Sequence, residues 1–331
     1  MEFKETIGID VSKLFIDVVI HSTKKHRQFQ NSLRGFKEML KWIDKHTTVP
    51  VAKRLLAFEH TGLYSSPLTM FLSKEKMNYI LIPGLELKKS LGITRGKNDK
   101  VDAKSIALYT FRRRDELKPY KLPSMNLLEL RKLLSLRDKL VKQKAGYMAT
   151  NKEIKDFLMQ KEHGTYFEIH EEMIKILNEK IKKVETQIRE IIKNESKLQE
   201  QYELITSIIG VGKLTAWYMI VYTNAFTLFE TSRKFASYAG TAPFPYESGI
   251  SIKGKTKVHQ FANKKFKTLL SSCASSAIIH NPEMRLYYEK RLAAGKHKMS
   301  TLNIIRNKLL ARIFAVVNRK TPYVNTLEYA A

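Results

Sequence analysis

Apolar residues fall in short runs over the first eighty positions and in long helical stripes after about residue 118, so the chain changes character there. Residues 5–11 are short and apolar, as a buried central strand is. A second β-rich run at 14–21 and a third around 27–30 follow at spacings that predict an antiparallel meander. Phe36, Leu40 and Ile43 then mark the inner face of an amphipathic helix over about 33–45. A fourth strand at 54–59, a helix near 65–76 and a fifth strand at 79–83 come next. A basic helical piece leads to a further helix whose apolar positions are Val101, Ile106, Leu108 and Phe111. The predicted order is three strands, helix, strand, helix, strand, helix.

Beyond residue 118 the pattern is mainly helical. Leu127, Leu130, Leu134 and Val141 share a stripe interrupted by Arg137, and Ile174, Leu177, Ile181, Val184, Ile188 and Ile191 keep the 3,4 spacing of a coiled-coil seam. Gly164 marks the turn between the two helices, and both an intramolecular hairpin and a dimerising coiled coil fit. Residues 204–216 read as helix, Gly210-x-Gly212 turn and helix. That is the form of a helix-hairpin-helix, whose backbone N–H groups can hold a DNA phosphate beside Lys213, or of an ordinary tight connection. Pro243, Pro245 and Gly249 predict a loop carrying Ser248, next to Glu247 and followed by Lys253, Lys255 and Lys257 and then by Lys264, Lys265 and Lys267. A hydroxyl in such surroundings becomes a nucleophile only with a base or metal to activate it and cations to accept phosphate charge. The expected parts are an α/β domain at 1–117, a helical coiled-coil region at 118–200 and a mainly α domain at 201–331.

Charge narrows the class of partner. The chain has 59 Lys and Arg against 32 Asp and Glu, a net charge of +27, far beyond what solubility needs. A polyanion is implied, nucleic acid before membrane. Residues 251–331 hold 16 basic and 3 acidic side chains, which makes them the strongest candidates for phosphate contact. Cys273 is the single cysteine, so an intramolecular disulfide and a Cys-based zinc site are excluded. With no signal-like start and no apolar run of spanning length, a cytoplasmic protein is expected.

Against this basic background the acids stand out. Asp99 and Asp102 lie three residues apart inside the run 94–105, on one face of a helix's first turn, with Arg95, Lys97 and Lys100 around them. A capping Asp followed by a solvated Asp would give the same pattern; a divalent cation would relieve the repulsion more compactly. Asp10 interrupts a buried strand, where a carboxylate is costly unless paired or metal-bound, and Glu59 closes the fourth strand. Asp17, on the second strand, reads as a surface or structural residue.

This order of parts resembles the RNase H-like nuclease fold of the Holliday-junction-resolvase kind, in which Asp10, Glu59, Asp99 and Asp102 would form a D-E-D-D set. Nearly the whole chain is similar to insertion-sequence transposases that join a D-E-D-D domain to a C-terminal serine-bearing domain, the bridge-RNA-guided recombinases. The matching residues are Ile7-Gly8-Ile9-Asp10, Glu59-x-Thr61-Gly62, Asp99-x-x-Asp102-Ala103, Gly210-x-Gly212, Tyr238-x-Gly240-x-x-Pro243 and Glu247-Ser248-Gly249. His60, Ala262 and Lys267 depart from the family pattern. The resemblance implies magnesium, with manganese as the alternative ion, held by the four acids. It implies Ser248 attacking DNA to give a phosphoserine intermediate, a structured noncoding guide RNA, element-end and target DNA, and a dimer or tetramer. Three rivals follow from the residues: a junction endonuclease using water with Ser248 structural, Tyr246 as nucleophile, and a noncatalytic RNA-binding scaffold.

Overall fold

The computed structural model describes residues 2–60, 62–90, 99–155, 164–248, 252–258 and 261–325, and divides into two units, Met1–Leu122 and Pro123–Ala331. Among the described residues no helix is long and apolar enough to cross a membrane.

The first unit is a five-stranded mixed sheet in the order β3-β2-β1-β4-β5. β1 (Glu5–Val11), β2 (Phe15–Ile20) and β3 (His26–Gln30) form the antiparallel meander, and β1 runs parallel to β4 (Arg54–Glu59), which runs parallel to β5 (Tyr79–Ile82). Alternate residues sort to two faces, as a pleated strand requires. Ile7, Ile9, Ile16, Val18, Leu56 and Phe58 pack with Phe36, Met39 and Ile43 of α1 (Leu33–His46) and Leu68 and Leu72 of α2 (Ser66–Lys74). Ser32 caps α1 by accepting from the Gly35 N–H at 3.3 Å.

On the other face, Leu55, Ala57, Ile80 and Ile82 pack against Leu87 of α3 (Gly84–Ser90) and against Ile106 and Tyr109 of α4 (Asp99–Arg113). Here the expected inner face of α4 needs correcting. Ile106 is buried, but Val101 is 45% exposed, and Leu108 and Phe111 are only half-buried; the contact runs instead through Ala103 and Ala107. The reason is Gly8, where a Cβ would overlap the Ala103 carbonyl oxygen and the Ala107 nitrogen and stand 2.9 Å from the Ala107 Cα. Helix and sheet approach backbone to backbone at this point, so small residues replace large ones on the buried face.

In the second unit, α5 (Met125–Lys155) and α6 (Gly164–Lys193) run antiparallel, with Asn126 bonded to Glu195, Arg137 to Glu185 and Lys144 to Asn178. Leu177, Ile181, Val184, Ile188 and Ile191 are buried along the predicted seam, while Ile174 and Val141 are half-buried. Gly164 opens α6, and the connection at 156–163 lies outside the described residues. The lower parts of both helices share one core with α7 (Ser196–Thr206), α8 (Lys213–Tyr222), α9 (Ser232–Tyr238), α10 (Lys264–His280), α11 (Pro282–Ala293) and α12 (Lys298–Arg319), centred on Trp217, Phe235, Phe266 and Phe314.

Between α9 and α10 lies a two-stranded ribbon, β6 (Pro243–Ser248) and β7 (Ile252–Val258), so Ser248 ends a strand where the prolines predict a loop. Both strands of a two-stranded ribbon are edges, which tolerate proline, and the register shifts between Phe244 and Tyr246 around Pro245.

Candidate functional site

The acids of the first unit gather for a traceable reason. Thr6, Gly8 and Asp10 point to the α4 side of β1. The Thr6 hydroxyl donates to the Ala107 carbonyl at 3.0 Å, and Gly8 lies under Ala103 and Ala107. From Thr6 to Asp10 the strand advances about 13 Å; from Ala107 back to Asp99 the helix descends about 12 Å. The two elements therefore stay in step in opposite directions, and the first turn of α4 arrives beside Asp10. On β4, Ile9 pairs with Phe58, so Glu59 sits one step beyond that pair as Asp10 does on β1, on the same face. Gly84, first residue of α3, leaves room for the Glu59 carboxyl, which a Cβ there would overlap.

Electrostatics report the approach of Asp99 and Asp102 to Asp10. Burial, then the charges of Asp102, Asp99 and Asp17, push the Asp10 carboxyl up from 3.8 to about 6. Asp99 is exposed, while Asp10, Glu59 and Asp102 are half-buried. Among the described residues no three His, Cys, Asp or Glu side chains close into a group that could hold a metal ion. The donor set nevertheless suits a hard divalent cation: all oxygen, acidic, and including a carboxyl that burial and the neighbouring carboxylates push up to about 6.

Asp17 pairs with Asp10 across β1 and β2. It is buried, not at the surface, and accepts from Nε2 of Gln28 at 2.9 Å and pairs with Nε2 of His26 at 2.6 Å. This bonded network on β3 was invisible to local pattern, although the alternation His26, Gln28 opposite Asp17 is its signal.

Apart from Lys100, the remaining candidates occupy the second unit or lie outside the described residues. Arg95 and Lys97 fall outside the described residues. Lys100 is exposed in the first turn of α4. Ser248 pairs with Ile252, and Glu247 with Lys253, at the ribbon's far end; Lys255 lies further back on β7, and Lys257 is exposed opposite Phe244. Lys264 and Lys267 are exposed in the first turn of α10. Lys213 and Lys265 already have carboxylate partners, Glu185 at 2.9 Å and Asp138 at 2.6 Å. The Gly-x-Gly turn is partly a packing device. Gly210 has φ +92° and a Cβ there would stand 2.8 Å from the Ala277 Cα, whereas Gly212 caps α8 with open space beside it.

Residues 7–163 match a family model for DEDD transposases of the IS110 type, described as a transposase, and residues 202–289 match one described as the transposase IS116/IS110/IS902 family. The chain belongs to the IS110 family of transposases. Members of this IS110 family are enzymes of DNA transposition and recombination, and this chain is accordingly a DNA phosphoryl-transfer enzyme. It is 27% identical over 330 residues to the pilin gene-inverting proteins of Moraxella bovis and Moraxella lacunata, covering 97% of this chain and 98% of each relative. Over 121 residues it is 33% identical to an insertion element IS110 protein of Streptomyces coelicolor, covering 36% of this chain and 29% of that protein.

Proposed function

We propose that this IS110-family transposase cuts and rejoins DNA with two sets of groups: Asp10, Glu59, Asp99 and Asp102 in the first unit, and Ser248 in the second. The observation that carries the reading is the crowding of Asp10 by Asp102 and Asp99, brought beside it by α4. Together with Glu59, these carboxylates would hold magnesium, or manganese in its stead. The bound ion would supply Lewis-acid stabilisation of phosphate charge. The strand order and directions of the first unit are consistent with an RNase H-like domain at 1–117, followed by a coiled-coil region at 118–200 and a serine-bearing domain at 201–331 that opens on a helix-hairpin-helix-like turn.

In the serine step, the Ser248 hydroxyl loses its proton and forms a bond to phosphorus, and the displaced strand leaves as a protonated hydroxyl. The adduct conserves the phosphodiester's energy for rejoining in reverse. Lys253, Lys255, Lys257, Lys264 and Lys267, together with Arg95, Lys97 and Lys100, would supply positive charge for the backbone, with Gly210, Gly212, Lys213 and Lys265 near two helix N-termini. The same charge would serve a structured guide RNA, which would read element-end and target DNA by base pairing while the protein reads backbone and shape. In this reading the serine of one subunit works with the acids of another, so the active protein is a dimer or tetramer. By analogy with the pilin gene-inverting relatives, inversion is a reaction to test beside transposition.

The deciding experiment uses a denaturing gel of full-length protein incubated with magnesium, element-end DNA and RNA copurified from cells carrying the whole element. A covalent protein–DNA band lost in Ser248→Ala and kept in Tyr246→Phe supports the reading. Cutting at the wild-type rate by Ser248→Ala would hand the attack to water.

A further inference from the structure

The ribbon that ends in Ser248 is gripped at its root by α12 through one residue. Thr241, fully buried, stands two positions before β6. Its carbonyl accepts from Nδ2 of Asn303 at 2.8 Å and from Nδ2 of Asn307 at 3.0 Å, and its hydroxyl donates to Oδ1 of Asn307 at 3.1 Å. Two side-chain amides on successive turns of one helix thus close on a single peptide group.

The orientation of the first amide is set from behind. Oδ1 of Asn303 accepts from Nη1 of Arg306 at 3.3 Å, which leaves only the amide nitrogen to face Thr241. Arg306 is 4% exposed, its Nε has no hydrogen-bond partner, and it forms no ion pair among the described residues. An uncompensated buried cation is costly, so its presence between Ile305 and Leu309 on the buried face of α12 asks for a use. Orienting Asn303 is the use its contacts offer. The other leg of the ribbon is tied at the same level: Asn263 donates its N–H to the Tyr238 carbonyl at 2.9 Å, and a Cβ on Gly240, at φ +68°, would stand 2.5 Å from the Ala262 Cβ.

We propose that Asn303 and Asn307, with Arg306 behind them, are positioning residues for the serine step: they fix the direction in which β6 leaves the helical core. The inference rests on the Ser248 reading. The lever is long. A six-residue strand spans about 20 Å, so a tilt of about 3° at Thr241 moves its end by about 1 Å, a displacement that costs about 10²-fold in rate where geometry is critical.

The discriminating variant is Asn303→Asp. It keeps an oxygen for Arg306, now in an ion pair, and replaces the donor to the Thr241 carbonyl by a second acceptor. A merely structural contact would leave the protein sound, whereas a positioning contact would leave it sound and slow. In full-length protein the melting temperature should stay level or rise, and hydrogen exchange over residues 241–258 should quicken. Adduct formation on an oligonucleotide carrying an element end, with copurified RNA, should fall about tenfold or more at saturating DNA. The half-saturating DNA concentration should stay within about twofold, because phosphate contacts are untouched. Thr241→Val, which deletes the hydroxyl's bonds to Asn307 and to the Ala236 carbonyl but keeps the Thr241 carbonyl and its two amide donors, should slow the adduct and quicken exchange more weakly. Wild-type adduct rates in both variants overturn the proposal, whether or not exchange quickens. Retention of the adduct by Ser248→Ala would instead sink the serine assignment, and the exchange difference would still report the anchor.

Discussion

Substituting Gly8 by Ala tests how the acid cluster is assembled, because it alters neither an acid nor any charge. A Cβ at this position would overlap the Ala103 carbonyl oxygen and the Ala107 nitrogen and reach within 2.9 Å of the Ala107 Cα, where ordinary contact begins near 3.4 Å. All three atoms are backbone of one α4 turn, so no rotamer change relieves the overlap. The helix must withdraw by about 1 Å from β1. Replacing Gly by Ala in a strand favours folding by about 0.5–1 kcal/mol through chain entropy, and overpacking of a rigid contact costs about 1–3 kcal/mol. The second effect should win. The first turn of α4 moves with the helix, so Asp99 and Asp102 retreat from Asp10, and strand joining should fall about 10²-fold. Gly146→Ala is the control: it lies in α5 with nothing within 4 Å of a built Cβ, so it should stabilise by about 0.5–1 kcal/mol and leave joining unchanged. Thermal melts in chelator, magnesium titration calorimetry and adduct formation read the three consequences separately. Gly8→Ala with wild-type stability and wild-type joining would refute the account of how Asp99 and Asp102 reach Asp10.

Other tests follow from single groups. Asp10 is held near 6 in the folded protein against 3.8 otherwise, so between these values the folded chain keeps a proton the unfolded chain has lost. The stability this carboxyl contributes therefore falls as pH rises through that window and stays lower above it. Metal-free Asp10→Asn should gain on wild type in melting temperature between pH 4.5 and 7.5, while losing strand joining; parallel melts in chelator give the answer. Magnesium at pH 7.5 should raise the wild-type melting temperature more than that of Asp10→Asn, because ligand bound only to the native state shifts the equilibrium by mass action. In the second unit, Gly210→Ala meets both a positive φ and the Ala277 backbone and should cost about 1–3 kcal/mol in a denaturant melt. Gly212→Ala, with open space, should melt near wild type, and any loss of DNA affinity it shows would be a phosphate effect rather than a packing one.

How much of this could be read from the chain depends on whether the information is local. Four of the five strands are legible because each is a short, largely apolar run, whereas β3, with Phe29 as its one apolar residue, is legible mainly from its spacing after β2; the alternation of Asp10 with Ile9 and Val11 puts the acid on the face opposite the main core. The seam of α6 is legible for the same reason: burial follows the 3,4 spacing from Leu177 to Ile191. What the pattern misplaces is the inner face of α4. Val101 looks like a core residue, yet the helix packs through Ala103 and Ala107, because Gly8, almost a hundred positions away, lets two backbones touch. Hydrophobic periodicity measures side-chain bulk, and here the contact is made where bulk is missing. Ser248 ends a strand for a related reason: the prolines that signal a loop are tolerated on a ribbon with no inner strand, and nothing near them in sequence shows the partner β7 will form.

The grip of Asn303 and Asn307 on Thr241 spans 62 and 66 residues and involves amides on a helix face continued by Leu310 and Phe314. Sequence reading sees there only polar interruptions of an apolar stripe. The two missed arrangements share a logic. In the first unit a glycine sets the distance between helix and strand, and in the second a pair of amides sets the direction of a ribbon. The acids and the serine are recognisable as residue types because their chemistry is carried by the side chain. The residues that aim them directly, Gly8, Asn303 and Asn307, are small or neutral, and their roles reside in distances that exist only after folding. Substitutions at Gly8 and Asn303 should therefore lower the rate with every chemical group of the proposed reaction intact, a phenotype that loss of an acid or of Ser248 cannot produce.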